Sequence, residues 1–161
     1  MGSCSGKPCR DASNNNRSPR YDISYLSSIT YADTQSYIPP VYFCKVVNVY
    51  DGDTITVATK LYTADSPVYR FSVRLAGIDT PEIHGSTSSE KASAIVVRDL
   101  LANLVLNKIV LLKNVHFEKY GRLLADVYLG DLHVNQHLLD THCAVPYHGG
   151  KKEKYVNVFA K

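Results

Sequence analysis

Five short segments rich in apolar residues, two of which alternate apolar and polar residues, are the feature of this chain that most constrains its fold. Each has the length of a β-strand and ends near turn-forming residues. The first two flank Asp51-Gly52-Asp53 and are predicted to form a hairpin. The predicted strands are Val41 to Tyr50, Thr54 to Thr59, Val68 to Ala76, Ile109 to Val115 and Leu123 to Leu129.

Two other segments have helical periodicity. Lys91 to Leu106 places apolar residues at intervals of three and four, after Thr87-Ser88-Ser89-Glu90, which has the spacing of a capping box. Val134 to Cys143 is predicted to be a second, shorter helix. Three strands, a helix, two strands and a helix predict an α+β fold that is mainly β, with a five-stranded barrel of OB type. A parallel α/β sheet is disfavoured because strands and helices do not alternate.

The first 40 residues differ in composition from the rest. Asp11 to Arg20 contains three consecutive asparagines with serines and a proline, and has too few apolar residues to form a core. Pro39-Pro40 marks a boundary. We therefore expect a disordered or loosely packed tail over residues 1–40 and one domain over residues 41–161.

Composition and charge leave the function open. The chain has 161 residues, an apolar fraction of 45% and a net charge of +3, which permits a polyanionic partner but is low for a dedicated DNA-binding protein. The sequence contains no apolar run of membrane-spanning length and no apolar signal segment, so a cytoplasmic location is expected. The four cysteines lack the close spacing of a zinc site.

The start of the chain partly fits a lipidation signal. Gly2 can accept myristate once the methionine is removed, and Cys4 can accept palmitate. Two acyl chains would anchor the protein to a membrane. Position six is a glycine where the myristoylation pattern has a hydroxyl residue, so a plain tail is the alternative.

Carboxylates close two of the predicted strands. Asp53 and Asp79 would meet at one rim of a small barrel, where two carboxylates, a backbone carbonyl and water suit a hard cation such as Ca²⁺ or Mg²⁺. Zinc is less favoured because no His or Cys cluster accompanies them. Glu82, three residues beyond Asp79, can hold an attacking water and remove its proton.

Two arginines complete the set of residues that phosphodiester hydrolysis needs. The guanidiniums of Arg74 and Arg122 match the oxygens of a phosphate better than an ammonium does. Each motif alone has a plainer interpretation. Asp51-Gly52-Asp53-Thr54 is a good hairpin turn, Asp79-Thr80-Pro81-Glu82 suits a loop or a helix start, and one strand arginine is usually solvated. Their joint occurrence in this order favours a phosphoryl-transfer site.

Residues from about Phe43 to Tyr147 resemble the staphylococcal nuclease family. The family is known for an OB-fold barrel and for calcium-dependent cleavage of DNA and RNA to 3′-phosphates and 5′-hydroxyls, and the resemblance implies the same here, with Mg²⁺ or Mn²⁺ as alternative cations. The matching motifs are Asp51-Gly52-Asp53-Thr54, Arg74 through Asp79-Thr80-Pro81-Glu82, Lys91-Ala92-Ser93-Ala94 and Lys119-Tyr120-Gly121-Arg122.

The resemblance also implies a role for individual residues. Asp53, Asp79 and the backbone carbonyl of Thr80 match the metal ligands of the family, and Glu82 matches its general base.

Contacts to the substrate are implied in the same way. Arg74 and Arg122 match the phosphate-binding arginines. Lys119 and Tyr120 match positions that contact the neighbouring phosphate, and Tyr147 is the candidate for packing near the nucleotide.

Two functions without catalysis compete with this hypothesis. One is an OB-fold module that binds nucleic acid or protein. The other is a lipidated membrane adaptor, which rests on Gly2 and Cys4 alone. A degenerate family member would be expected to lose a metal carboxylate, the base or an arginine, and all of these are present here. We therefore expect a nuclease that acts on DNA and RNA with little sequence preference.

Overall fold

The computed structural model describes residues 23–85, 87–118 and 120–150. The chain divides into two compact units, residues 1–36 and residues 37–161. In the first unit, the described residues form two short 3-10 helices, Ser24–Ser28 and Tyr31–Asp33, neither of which has a buried residue. The expectation of a disordered or loosely packed tail over residues 1–40 stays a prediction.

The second unit contains every predicted strand and helix. Three two-residue strands, β4, β7 and β8, were not predicted. The elements in chain order are β1 (Phe43–Asp51), β2 (Thr54–Lys60), β3 (Val68–Leu75), β4 (Ile78–Asp79), α1 (Ser88–Val105), β5 (Ile109–Phe117), β6 (Leu123–Leu129), β7 (Leu132–His133), α2 (Val134–Asp140) and β8 (Val145–Pro146).

The five long strands close into a barrel. Together with the short strand β7 they form one sheet in the order β3-β2-β1-β5-β6-β7, and β3 also pairs with β6. This closing pair is parallel, with Val73 opposite Leu123 and Leu75 opposite Ala125, whereas the other pairs are antiparallel. The predicted α+β fold with a five-stranded OB-type barrel is therefore confirmed.

The helix α1 contributes one apolar stripe to the core. Ala94, Val97, Leu101 and Val105 are each at most 1% exposed, as expected from their spacing. The helix begins at Ser88, directly after Thr87, the first residue of the predicted capping box, whose side chain accepts a hydrogen bond from the Glu90 backbone N–H at 3.1 Å.

The helix α2 is shorter than predicted because the chain turns sharply after Asp140. His142 has φ of +56°, and the backbone N–H groups of Cys143 and Ala144 both donate to the Leu138 carbonyl. Cys143 therefore lies beyond the helix, where its side chain is buried in the core.

Asn135 attaches α2 to the closing strands. Its buried side chain accepts from Val127 N–H at 3.0 Å and donates to the carbonyls of Ala76 and Ala125 at 2.9 and 3.2 Å. Among the described residues, no helix is long and apolar enough to cross a membrane.

Candidate active site

A cleft of about 420 Å³ opens at one rim of the barrel. It gathers residues from the ends of β1, β2 and β3, from the loops around β4, and from the β5–β6 hairpin. Its lining residues are Tyr50, Asp51, Asp53, Thr54, Arg74, Asp79, Thr80, Glu82, His84, Glu118, Tyr120, Arg122 and Tyr147.

Eight predicted site residues therefore lie together in this cleft. They are Asp53, Arg74, Asp79, Thr80, Glu82, Tyr120, Arg122 and Tyr147. Lys119 lies outside the described residues, as do the candidate lipidation residues Gly2 and Cys4. Their proposed roles stay predictions.

Arg74 joins the two aspartates that were predicted to bind a metal. Its Nη1 lies 2.7 Å from Asp53 Oδ2, and its Nη2 lies 2.9 Å from Asp79 Oδ1. The same Nη2 approaches the Ile78 carbonyl at 3.4 Å. The arginine side chain is only 13% exposed, so both ion pairs are shielded from water. The guanidinium therefore fixes the relative positions of the two carboxylates.

Gly52 allows the hairpin to approach the Thr80 loop. A Cβ atom at position 52 would lie 2.8 Å from Thr80 Oγ1 and 2.7 Å from Val97 Cγ1, which is closer than real Cβ contacts allow. Gly52 does not have a positive φ, so the glycine is needed for this close approach and not for the turn conformation.

The pairing of β4 with β8 brings a distant part of the chain to the cleft. Asp79 lies opposite Val145, and the Tyr147 backbone N–H donates to the Gly77 carbonyl at 2.9 Å. Tyr147 is therefore held beside the aspartates, although Asp79 and Tyr147 are far apart in the sequence.

Arg122 is oriented by an acidic residue of the same hairpin. Its Nε and Nη2 both lie 2.7 Å from Glu118 Oε2. The turn is closed by hydrogen bonds from the Gly121 N–H to the Glu118 carbonyl and from the Glu118 N–H to the Arg122 carbonyl. Gly121 has φ of +79°, a conformation that favours glycine.

The cleft contains more acidic than basic side chains. Five carboxylates face two guanidiniums, giving a formal charge of −3 with His84 neutral. The carboxylates are those of Asp51, Asp53, Asp79, Glu82 and Glu118. A polyanion would be repelled by such a surface unless a cation were also present.

Two of these carboxylates have raised pKa values. Burial raises the pKa of Asp53 to about 6, outweighing the attraction of Arg74 and the hydrogen bond donated by Thr54. Burial, with added repulsion from Glu82, raises the pKa of Asp51, although the Gly52 N–H donates to its carboxylate at 2.8 Å. A bound cation would favour the ionised form of both groups.

Sequence reasoning missed several residues of this cleft, notably Asp51, Glu118 and His84. Asp51 belongs to the Asp51-Gly52-Asp53-Thr54 motif, and Glu118 stands four residues before Arg122, a spacing that could have indicated their contact. His84 carries no such local signal.

The residues present fit a hard cation better than zinc. Asp53 and Asp79 offer oxygen ligands side by side, and Thr80, which follows Asp79 in the chain and also lines the cleft, has a backbone carbonyl to add. Within the described ranges, no three His, Cys, Asp or Glu side chains are grouped to hold a metal by themselves. Water would have to supply the remaining ligands.

Comparison with known proteins identifies one family. A family model described as "Staphylococcal nuclease homologue" matches residues 72–160, a range that includes Arg74, Asp79, Glu82 and Arg122. A search of curated proteins found no match. The family match covers more than half of the chain, and the chain therefore belongs to the staphylococcal nuclease family.

Proposed function

We propose that this protein is a calcium-dependent nuclease that hydrolyses the phosphodiester bonds of DNA and RNA with little sequence preference, leaving 3′-phosphate and 5′-hydroxyl ends. The observation that carries the proposal is the single cleft in which two buried aspartates, an exposed glutamate and two oriented arginines meet. Membership of the staphylococcal nuclease family supports a nuclease activity.

The metal ligands in this proposal are Asp53, Asp79 and the carbonyl of Thr80, with Mg²⁺ or Mn²⁺ as alternatives to Ca²⁺. When bound, the cation would act as a Lewis acid on a phosphate oxygen and offset the negative charge of the cleft. Arg74 holds both carboxylates at 2.7 and 2.9 Å, so the two ligands need little rearrangement to receive an ion.

Arg74 and Arg122 stabilise the charge that develops on the phosphate. A guanidinium has five N–H donors. Arg74 uses three of them on Asp53, Asp79 and the Ile78 carbonyl, which leaves donors for a phosphate oxygen. Glu118 holds the Arg122 guanidinium through two nitrogens, so this group is oriented before the substrate arrives.

Glu82 acts as the general base. It lies on the loop after β4, lines the cleft and is exposed, so its carboxylate is accessible to a water molecule. The carboxylate takes a proton as the water oxygen attacks phosphorus, and the bond from phosphorus to the 5′ oxygen breaks. The departing oxygen takes a proton from solvent and becomes the 5′-hydroxyl.

The test is degradation of single-stranded DNA by the purified protein in Ca²⁺, in Mg²⁺ and in EDTA, with Glu82→Gln alongside. Loss of the base should lower the rate by about 10²–10⁴-fold. Asp99→Asn is the control, because it also converts a carboxylate to its amide, at an exposed residue of α1 that does not line the cleft. An unchanged rate in Glu82→Gln would remove this residue from the mechanism.

The same assay separates the enzyme from the non-catalytic alternative. A folded wild-type protein that binds the DNA but cleaves it in none of these metals would be a binding module. Cleavage supported by Mg²⁺ and not by Ca²⁺ would retain the nuclease and reject the calcium assignment.

A further inference from the structure

The outer surface of the barrel carries a row of residues that crosses four strands. Lys45 on β1 is paired with Ala58 on β2 and with Ile109 on β5, and Ala58 is paired with Arg70 on β3. Residues directly opposite each other in a sheet point to the same side. Lys45, Ile109 and Arg70 are all exposed, so this side faces solvent.

A second row runs beside the first and contains two aromatic rings. Phe43, two positions from Lys45, is paired with Leu111, and Leu111 is paired with Tyr128 on β6. Phe43 is 68% exposed. Lys113 places its Nζ 4.3 Å from the centroid of the Tyr128 ring. The Tyr128 ring also stacks on His133, with the ring centroids 4.6 Å apart, so Phe43 supplies the exposed ring of this surface.

We call this surface the basic face and define it by Phe43, Lys45, Lys60, Arg70, Lys113 and Tyr128. Lys60 belongs to it because it is two positions from Ala58 on β2. None of these residues lines the cleft.

Of the four cations of the basic face, Lys113 lies opposite an acidic residue, Asp126, and the other three do not. The segments of this face on β1, β2, β3 and β5, residues 43–47, 56–60, 68–72 and 109–113, contain no Asp or Glu. Asp126 lies opposite Lys113 at the edge, where its carboxylate accepts from the Asn114 amide at 2.7 Å. Among the described residues, none of the four cations forms an ion pair with a carboxylate.

We propose that the basic face binds single-stranded nucleic acid outside the cleft. Lysines and arginines follow the phosphates of a single strand, and exposed aromatic rings stack with its unpaired bases. The basic face has four cations and the exposed ring of Phe43, and a base-paired duplex would leave that ring without a base to stack on.

The basic face also extends towards the cleft. Arg70, Ser72 and Arg74 occupy alternate positions on β3, so they share one side of the strand. Arg70 and Arg74 are separated by about 13 Å, at roughly 3.3 Å per residue. A strand held on the basic face would reach the cleft along β3. This consequence rests on the proposed nuclease function, but binding itself does not.

The experiment measures binding of a fluorescein-labelled oligothymidine by anisotropy in EDTA, where no cleavage is expected and the acidic cleft repels DNA. Lys45→Glu/Arg70→Glu changes two cations of the basic face. Lys91→Glu/Arg98→Glu makes the same charge change on α1, where both residues lie outside the face and the cleft. Thermal unfolding confirms that each variant is folded. If either glutamate variant does not fold, both are replaced by glutamine variants, Lys45→Gln/Arg70→Gln and Lys91→Gln/Arg98→Gln.

We expect the face variant to bind the oligothymidine about tenfold more weakly or worse. The affinity of the α1 variant should change by less than about twofold. Two lost phosphate contacts should also reduce the slope of log K against log salt by about 1.4, since each contributes about 0.7 on single strands. Phe43→Ala should weaken binding of the oligothymidine by about tenfold and leave binding of a duplex unchanged.

Equal weakening in both charge variants would overturn the proposal, because total charge would then account for the binding. The proposal would also be overturned if the face variant bound DNA as the α1 variant does but no longer sedimented with phosphatidylserine vesicles. That result would identify a lipid surface as the partner. Absence of cleavage in every metal would refute the nuclease and leave these binding results unaffected.

Discussion

Gly52→Ala tests whether close packing behind the metal ligands holds the site in place. The new methyl would meet Val97 Cγ1 at 2.7 Å and Thr80 Oγ1 at 2.8 Å. Overpacking of this kind costs about 1–3 kcal/mol. Alanine also lowers the conformational entropy of the unfolded chain, which stabilises the folded state by about 0.4–1 kcal/mol. We expect the free energy of unfolding to fall by about 1–2 kcal/mol.

A second substitution separates the two contacts. Val97→Ala removes the Cγ1 atom, so the double variant Gly52→Ala/Val97→Ala should be more stable than the sum of the single effects by about 1–2 kcal/mol. The contact with Thr80 remains, and the Thr80 carbonyl is a proposed metal ligand. The double variant should therefore recover stability but not cleavage.

The assay is urea unfolding followed by circular dichroism in EDTA, together with the rate of DNA cleavage in Ca²⁺. Gly130→Ala is the control, because a Cβ there meets no atom within 4 Å and the cost arises from its φ of +59°. The effects of Gly130→Ala and Val97→Ala on the free energy of unfolding should be additive. Additivity within about 0.5 kcal/mol for Gly52→Ala and Val97→Ala would refute the packing argument.

Three further predictions concern the core and the cleft. Asn135→Leu should lower the free energy of unfolding by several kcal/mol in urea titrations, because the buried Val127 N–H and Ala76 carbonyl lose their partner. Burial raises the pKa of Cys44 to about 12, so in a variant that retains only this cysteine, Ellman's reagent at pH 8 should react only as the protein unfolds. Asp53 has its pKa raised from 3.8 to about 6, so its contribution to stability is full below pH 4 and is lost as the pH rises towards 6. Asp53→Asn in EDTA should therefore leave stability at pH 4 nearly unchanged and raise it at pH 7 by up to about 3 kcal/mol.

Local patterns were sufficient to predict the long strands and helices. Alternation in β2 and the stripe of α1 depend on residues close in sequence, and both match the burial in the structure. The pair formed by β4 and β8 could not be predicted in this way. Each strand has only two residues, and Ile78 meets Pro146 only after the barrel has formed.

The identity of the site residues could be predicted, but their contacts could not. The motif around Arg74 indicated an arginine near aspartates, yet its simultaneous contact with Asp53 and Asp79 depends on how the rim closes. The contact of Glu118 with Arg122 was in principle predictable from their spacing. The raised pKa of Asp51 depends on burial, which the sequence does not show.

The parallel pair of β3 and β6 has a consequence for the protein during its synthesis. Residues 73–75 find their partners, residues 123–125, only about fifty positions later in the chain. Arg122, the residue before that later strand, and Arg74 are brought to one cleft by this pairing. A ribosome-bound chain that ends before β6 lacks both the pairing and the second arginine. The proposed nuclease would therefore stay inactive while most of the barrel is being made, and its own messenger RNA would be protected until late in translation.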